Sequence, residues 1–222
     1  MKIYLEGEET RKQEFRELLQ ARATWIESPA AKGEAELLVF LNYDDPGRSD
    51  PGLLTPGKPN IICSVKKTLR EMLSPQEPVL QDWVMGMNLL PTFIHRPLQE
   101  VCFLSGHART LFEGLASRLG WKLTVVQDHT GMVTPRVLSM IVNEACLTLQ
   151  HKIATIPDID QAMKLGTAYP MGPLEWCDRI GITQVYEILK ALQRETGDPR
   201  YQLTPLLEEM ALQHKLFYPT NP

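Results

Sequence analysis

The chain has 222 residues, enough to bury a substantial core in one large domain or two small ones, and its 43% hydrophobic and 23% charged residues are ordinary for a globular protein. A net charge of −4 with no basic block excludes an electrostatic footprint for nucleic acid, and no basic amphipathic stretch points to a membrane surface. No apolar run reaches the roughly 18 residues of a transmembrane helix. The opening MKIYLEGEETRKQEF is charged where a secretory signal needs an apolar core, so a cytoplasmic protein is expected. Cys63, Cys102, Cys146 and Cys177 are widely spaced in apolar stretches, which predicts buried thiols and neither a metal motif nor a disulfide framework.

In chain order, short runs of β-formers alternate with helical stretches, the pattern of an α/β domain with a largely parallel sheet. Strands are expected at Lys2 to Glu6, Thr24 to Glu27, Glu36 to Asn42, Asn60 to Val65, Val84 to Leu89, Glu100 to Leu104 and Lys122 to Gln127. LLVFLN and NIICSV are nearly continuous apolar runs and should form the sheet centre, covered on both faces. Helices fit at Thr10 to Ala21, Lys66 to Leu73 and His107 to Leu119, the last closed by Gly120, which tolerates a left-handed cap. The segment YDDPGRSDPGLLTPGKP is dense in Pro, Gly and Asp and reads as a surface loop.

After about residue 130 the strand pattern stops. Pro135 suits the first turn of a helix in which Val137, Leu138, Ile141, Ala145 and Leu149 recur at helical spacing up to about His151. Thr155 and Asp158 are spaced as a capping box for a short second helix ending at Gly166, and YPMGP is a turn before further helices. Thr204 and Pro205 open another through Leu206, Leu207 and Met210. The expected domains are therefore 1–129 and 130–222.

From Asn143 to Gly181 the sequence carries, in order, NEA at Asn143 to Ala145, DID at Asp158 to Asp160, MKLG at Met163 to Gly166, PMGP at Pro170 to Pro173 and DRIG at Asp178 to Gly181. This series resembles the C-terminal domain of the 3-hydroxyacyl-CoA dehydrogenase family. The resemblance implies a Rossmann-like, mostly parallel sheet domain followed by an all-α domain, an NAD-dependent oxidoreductase of fatty-acid metabolism, and a homodimer through the helical domain, with Met140, Ile141 and Leu147 as candidates for that surface. Upstream, GMNLLPTFIHRPLQEV lines up with the family segment that carries the catalytic histidine, and Asn88 stands at that position. The family's partnering glutamate falls on Glu100. Asn88 and Glu100 are thus the candidate catalytic residues.

The chemistry implied at those positions is altered. Oxidising a hydroxyl by hydride transfer needs a group that takes the hydroxyl proton near neutral pH, which imidazole does and a carboxamide does not. Lys67 stands at a family serine, and Pro135 at a family asparagine, where it supplies no side-chain hydrogen bond. His95 and His129 are alternative bases, each more readily read as a solvated loop histidine with no identified partner.

A dinucleotide fingerprint needs glycines so that backbone can approach the pyrophosphate at a helix N-terminus. GEETRK offers Gly7, with Glu9 and Lys12 at the second and third glycine positions, while Glu8 and Glu9 would repel phosphate. Glu27 ends the second expected strand, where an acidic residue can hold a ribose. Gly7 and Glu27 are therefore the candidate cofactor-binding residues. NAD is the cofactor the resemblance implies; the residues themselves suggest none, and no metal. The leading expectation is a degenerate relative kept for binding an acyl-CoA-like ligand or for assembly. The alternatives are an active NAD-dependent 3-hydroxyacyl-CoA dehydrogenase with a rearranged site, or an unrelated activity on the same fold.

Overall fold

The computed structural model describes residues 1–19, 22–73 and 78–219. Ala21, the expected end of the first helix, lies outside them. The chain divides into two compact units, Met1–Met132 and Val133–Pro222. Among the described residues no helix is long and apolar enough to cross a membrane.

The first unit is a seven-stranded sheet with strands β1 (Lys2–Glu6), β2 (Thr24–Ile26), β3 (Leu37–Phe40), β4 (Asn60–Cys63), β5 (Val84–Met87), β6 (Leu98–Cys102) and β7 (Lys122–Val125), accompanied by helices α1 (Glu9–Leu19), α2 (Leu69–Met72), α3 (Pro78–Gln81) and α4 (Gly106–Leu119). The strand order is β2-β1-β3-β4-β5-β6-β7. All neighbours pair in parallel except β5 with β6. Every residue of β3 and β4 is buried, as their continuous apolar character requires in a sheet covered on both faces. Asn60, the one polar residue of β4, is buried because its amide closes the preceding loop on the carbonyls of Thr55 and Lys58. Gly120 takes φ 74° and ends α4.

Two expected elements differ. The helix expected at Lys66 to Leu73 starts only at Leu69, where the Thr68–Glu71 capping box sets its first turn, and the Val65 and Lys66 amides before it are bonded to Asp44. The loop following β3 is more than a surface excursion: Tyr43 and Asp44 are buried. Composition marked that loop as turn-forming, yet one carboxylate in it is a structural pin.

The second unit contains α5 (Thr134–Gln150), α6 (Ile156–Thr167), α7 (Pro173–Ile180), α8 (Ile182–Thr196) and α9 (Pro205–Leu212), with α5 packed on α7, α8 and α9. Val142, Cys146, Leu174, Cys177, Leu189 and Leu207 are fully buried at its centre. The second helix does not stop at Gly166; it runs one residue further and Ala168 takes the left-handed position, φ 56°.

The signature residues of this unit prove to be joints. The Asn143 side chain donates to the Gln202 carbonyl and accepts from the Thr204 amide, both at 2.9 Å, tying α5 to the start of α9. Asp160, buried on α6, accepts from the Leu174 and Glu175 amides at 2.8 Å and from the Tyr218 hydroxyl at 3.0 Å. It thereby caps α7, whose own N-cap residue, Gly172, has no side chain to do so. Asp178 receives the Phe217 and Tyr218 amides at 3.0 and 2.8 Å, and burial raises its pKa.

All four cysteines are free and buried. Burial pushes each thiol up, Cys146 to about 12, so they are inert packing groups rather than nucleophiles.

Candidate active site

Strands β1, β3, β4 and β5 run the same way, so Gly7, Asn42, Ser64 and Asn88 all follow the carboxyl ends of their strands, on the edge where open α/β sheets bind ligands. The chain leaves β1 for β2 on one side and crosses to β3 on the other, which makes the β1/β3 boundary the topological switch point.

Gly7 sits at that boundary with φ 147°, and a Cβ there would lie 2.7 Å from the Leu41 Cβ and 2.8 Å from the Asn42 Oδ1. Only glycine fits this turn without strain. The first amide of the following turn is taken: the Glu8 N–H donates to Asn42 Oδ1 at 2.8 Å. Gly7 and Glu27, far apart in sequence, line one cavity of about 540 Å³ together with Glu6, Glu8, Lys12, Asn42, Asp45 and Arg48. Four carboxylates against two cations make its lining negative, which opposes a pyrophosphate. Glu27 is itself held by α1, bonded to Arg16 and with Lys12 at 3.9 Å. Arg16 also donates to Glu9 at 2.7 Å and holds that carboxyl below its ordinary range.

Beneath α1, Arg11 is fully buried and gives one N–H to the Leu41 carbonyl at 2.7 Å. Asp44 lies in the same charged cluster, accepting from the Val65 and Lys66 amides at 2.7 and 2.8 Å. Lys66 bonds Asp45, which also accepts from the Asn42 amide at 2.8 Å. Burial works against the Asp45 carboxylate, but Lys66 outweighs it and lowers the pKa. Sequence reading missed this cluster, because nothing in YDDPGRS announces that one of two adjacent aspartates turns inward.

Asn88 and Glu100 are brought together. The β5/β6 register pairs Met87 with Val101, so the next pair is Asn88 opposite Glu100, and the Asn88 amide donates to the Glu100 carbonyl at 3.1 Å. Glu100 lies in the middle of β6, not at a strand start, because β6 begins its pairing with β7 at Leu98. The Asn88 side chain is 3% exposed, and its Oδ1 accepts from the Leu90 amide at 3.4 Å. Gly86 permits this close packing, since a Cβ would meet the Cys102 Sγ at 2.6 Å and the Ser64 Cβ at 2.9 Å.

Lys67 donates to the Ser49 hydroxyl at 2.9 Å. Ser64 donates to the Lys67 carbonyl at 2.9 Å, so the one hydroxyl at this strand end is turned to its own loop. Pro135 is buried in the first turn of α5. His95, read as a partnerless loop histidine, has its Nδ1 3.5 Å from Glu14 of α1. His129 is exposed within the turn that closes on Met132. Among the described residues no group of three or more His, Cys, Asp or Glu is placed to hold a metal ion.

Comparison with known proteins fits this architecture. The family model for the 3-hydroxyacyl-CoA dehydrogenase C-terminal domain matches residues 131–220. The chain is 43% identical over 91 residues to the 3-hydroxyadipyl-CoA dehydrogenase of Escherichia coli K12, covering 40% of this chain and 19% of that protein. It is 40% identical over 141 residues to a 3-hydroxybutyryl-CoA dehydrogenase of Clostridioides difficile, covering 61% of this chain and 49% of that one. The match thus spans half or less of these curated relatives. Among solved structures, FadB2 of M. tuberculosis superposes with a TM-score of 0.75 at 20% identity over 99% of this chain and 90% of that one. The (S)-3-hydroxybutyryl-CoA dehydrogenase of Ralstonia eutropha does so with 0.68 at 23% identity, covering 88% and 72%. These two likenesses establish the fold, a Rossmann-like sheet unit and a helical unit, and the sequence match shows that residues 131–220 are similar to the C-terminal domain of 3-hydroxyacyl-CoA dehydrogenases.

Proposed function

We propose that this chain no longer performs the family's NAD-dependent hydride transfer and serves instead in binding an acyl-CoA-like ligand or in assembly. The observation that carries the reading is Asn88, a buried carboxamide facing Glu100 across β5 and β6 where the family resemblance puts the imidazole base. A carboxamide orients a carbonyl through its N–H but takes no proton near neutral pH, so Glu100 has no imidazole to polarise.

The switch point supports the same reading. The residues present do not fit a dinucleotide: one glycine stands in the turn, Asn42 occupies the Glu8 amide, Arg16 and Lys12 hold Glu27, and carboxylates predominate in the lining. Titrating the protein into NADH is therefore expected to leave the nicotinamide fluorescence unchanged up to about 1 mM protein or ligand, a range in which even millimolar affinity would register. Saturable enhancement, abolished by Gly7→Val, would remove this support.

For assembly, the outer side of α5 offers exposed Val137 beside the partly exposed Met140, Ile141 and Leu147, and a second copy of the chain is the proposed occupant. Sedimentation at about 50 µM should then give a dimer whose fraction rises with concentration. A concentration-independent monomer would rule it out.

A further inference from the structure

A second cavity, of about 250 Å³, shares no lining residue with the one at the switch point. It lies where the C-terminal ends of α1 and α4 meet the starts of β6 and β7, and Leu18, Leu119, Arg22, His95, Arg96 and Trp121 line it with Gln99. In a chain of net charge −4 the described residues of this lining hold two guanidinium groups and an imidazole and no carboxylate.

The cations are held in place. Arg22 donates to the Leu119 carbonyl at 2.6 Å, an approach that Gly120 allows because even a Cβ there would come within 3.2 Å of the same guanidinium nitrogen. Arg96 donates to the Thr92 carbonyl at 3.1 Å and stacks over the Phe93 ring at 4.7 Å. The buried Gln99 amide fastens the carbonyls of Ile94 and Arg96 at 2.7 Å each, so the loop presenting Arg96 and His95 is braced from below. At its other end the Thr92 amide, with φ 72°, is anchored on Glu14. Glu14 also approaches His95, and Glu100 acts on Arg96, but neither lines the cavity.

The Trp121 ring that lines the cavity packs edge-on against Phe15, which fixes that wall. Two guanidinium groups and an imidazole around one hollow suit an anion with several acceptor oxygens. The apolar sides of Leu18, Leu119 and Trp121 leave room for a small organic group on that anion.

We infer that this cavity is a binding site for a phosphate group, free or carried on a small organic molecule, separate from the family's catalytic edge. Arg22 and Arg96 supply the charge and the Trp121 ring one apolar wall. The inference does not rest on the reading of Asn88: a fully active enzyme would carry the same hollow.

The test is calorimetric titration of the whole chain with inorganic phosphate and with phenyl phosphate at constant ionic strength, acetate serving as the carboxylate control. Saturable phosphate binding is expected, weakened about tenfold or more by Arg96→Met and only modestly by Arg22→Lys. Tighter binding of phenyl phosphate would assign the site to organic phosphates, and equal binding to the free anion. Arg22→Lys keeps a cation near the Leu119 carbonyl, and thermal melts of each variant separate lost binding from lost folding. No saturable heat with either phosphate, binding equally strong for acetate, or phosphate binding unchanged in a folded Arg96→Met variant would each overturn the proposal.

Discussion

Replacing Gly172 by alanine is expected to destabilise the helical unit by about 3 kcal/mol, whereas the same replacement at Gly166 is expected to be neutral or mildly stabilising, by up to about 1 kcal/mol. Both glycines belong to the series that resembles the family's C-terminal domain, yet their surroundings differ. A Cβ on Gly172 would lie 2.2 Å from the Asp160 Cβ, with nothing soft between them, while a Cβ on Gly166 meets nothing within 4 Å. The Gly172 clash would also push Asp160 off the Leu174 and Glu175 amides that it caps. Asp160→Ala should accordingly cost a similar amount, about 3 kcal/mol, because the buried Leu174 N–H loses its acceptor along with its neighbour. Urea unfolding followed by far-UV circular dichroism measures all three. A Gly172→Ala protein as stable as the wild type would mean that the α6–α7 joint is not what the signature preserves.

Asp44→Ala is expected to cost about 3 kcal/mol in the sheet unit, since two buried amides, Val65 and Lys66, would lose the carboxylate oxygen that accepts both. Asp44→Asn, which retains an oxygen able to receive both, should cost about 1 kcal/mol. The neighbouring ion pair adds a pH signature. Asp45 has a lowered pKa when folded because Lys66 outweighs the burial that opposes its charge. Its stabilisation is therefore complete above the unfolded value of about 3.9 and is lost as the pH falls through the folded value. Asp45→Asn should be less stable than the wild type at neutral pH, with the difference closing below about pH 4. A gap that widens in acid would reverse the assigned sign.

Much of the fold is legible because it depends on local pattern. Seven runs of β-formers read as strands and seven strands form, and the two continuous apolar runs, LLVFLN and NIICSV, lie side by side inside the sheet. What depends on tertiary partners is not legible. The bond from the Lys66 amide to Asp44, twenty-two residues earlier, is a tertiary contact that no local pattern announces. The signature residues Asn143, Asp160 and Asp178 are recognisable as a series, but their work as joints between α5, α6, α7 and the terminal segment appears only in three dimensions. At the candidate site, the ungapped family resemblance from Asn88 to Glu100 suggests a pair, and the antiparallel register sets the two positions opposite each other. The pairing of Glu27 with Arg16 and of His95 with Glu14 was beyond reach, because each joins a loop or strand end to a helix face.

The central claim is that Asn88 cannot do the proton chemistry of an imidazole. It is tested most directly by the initial rate of NADH oxidation when the purified chain is given acetoacetyl-CoA near neutral pH. No rate above the buffer control is predicted. Turnover that disappears in either Asn88→Ala or Glu100→Ala would contradict the account.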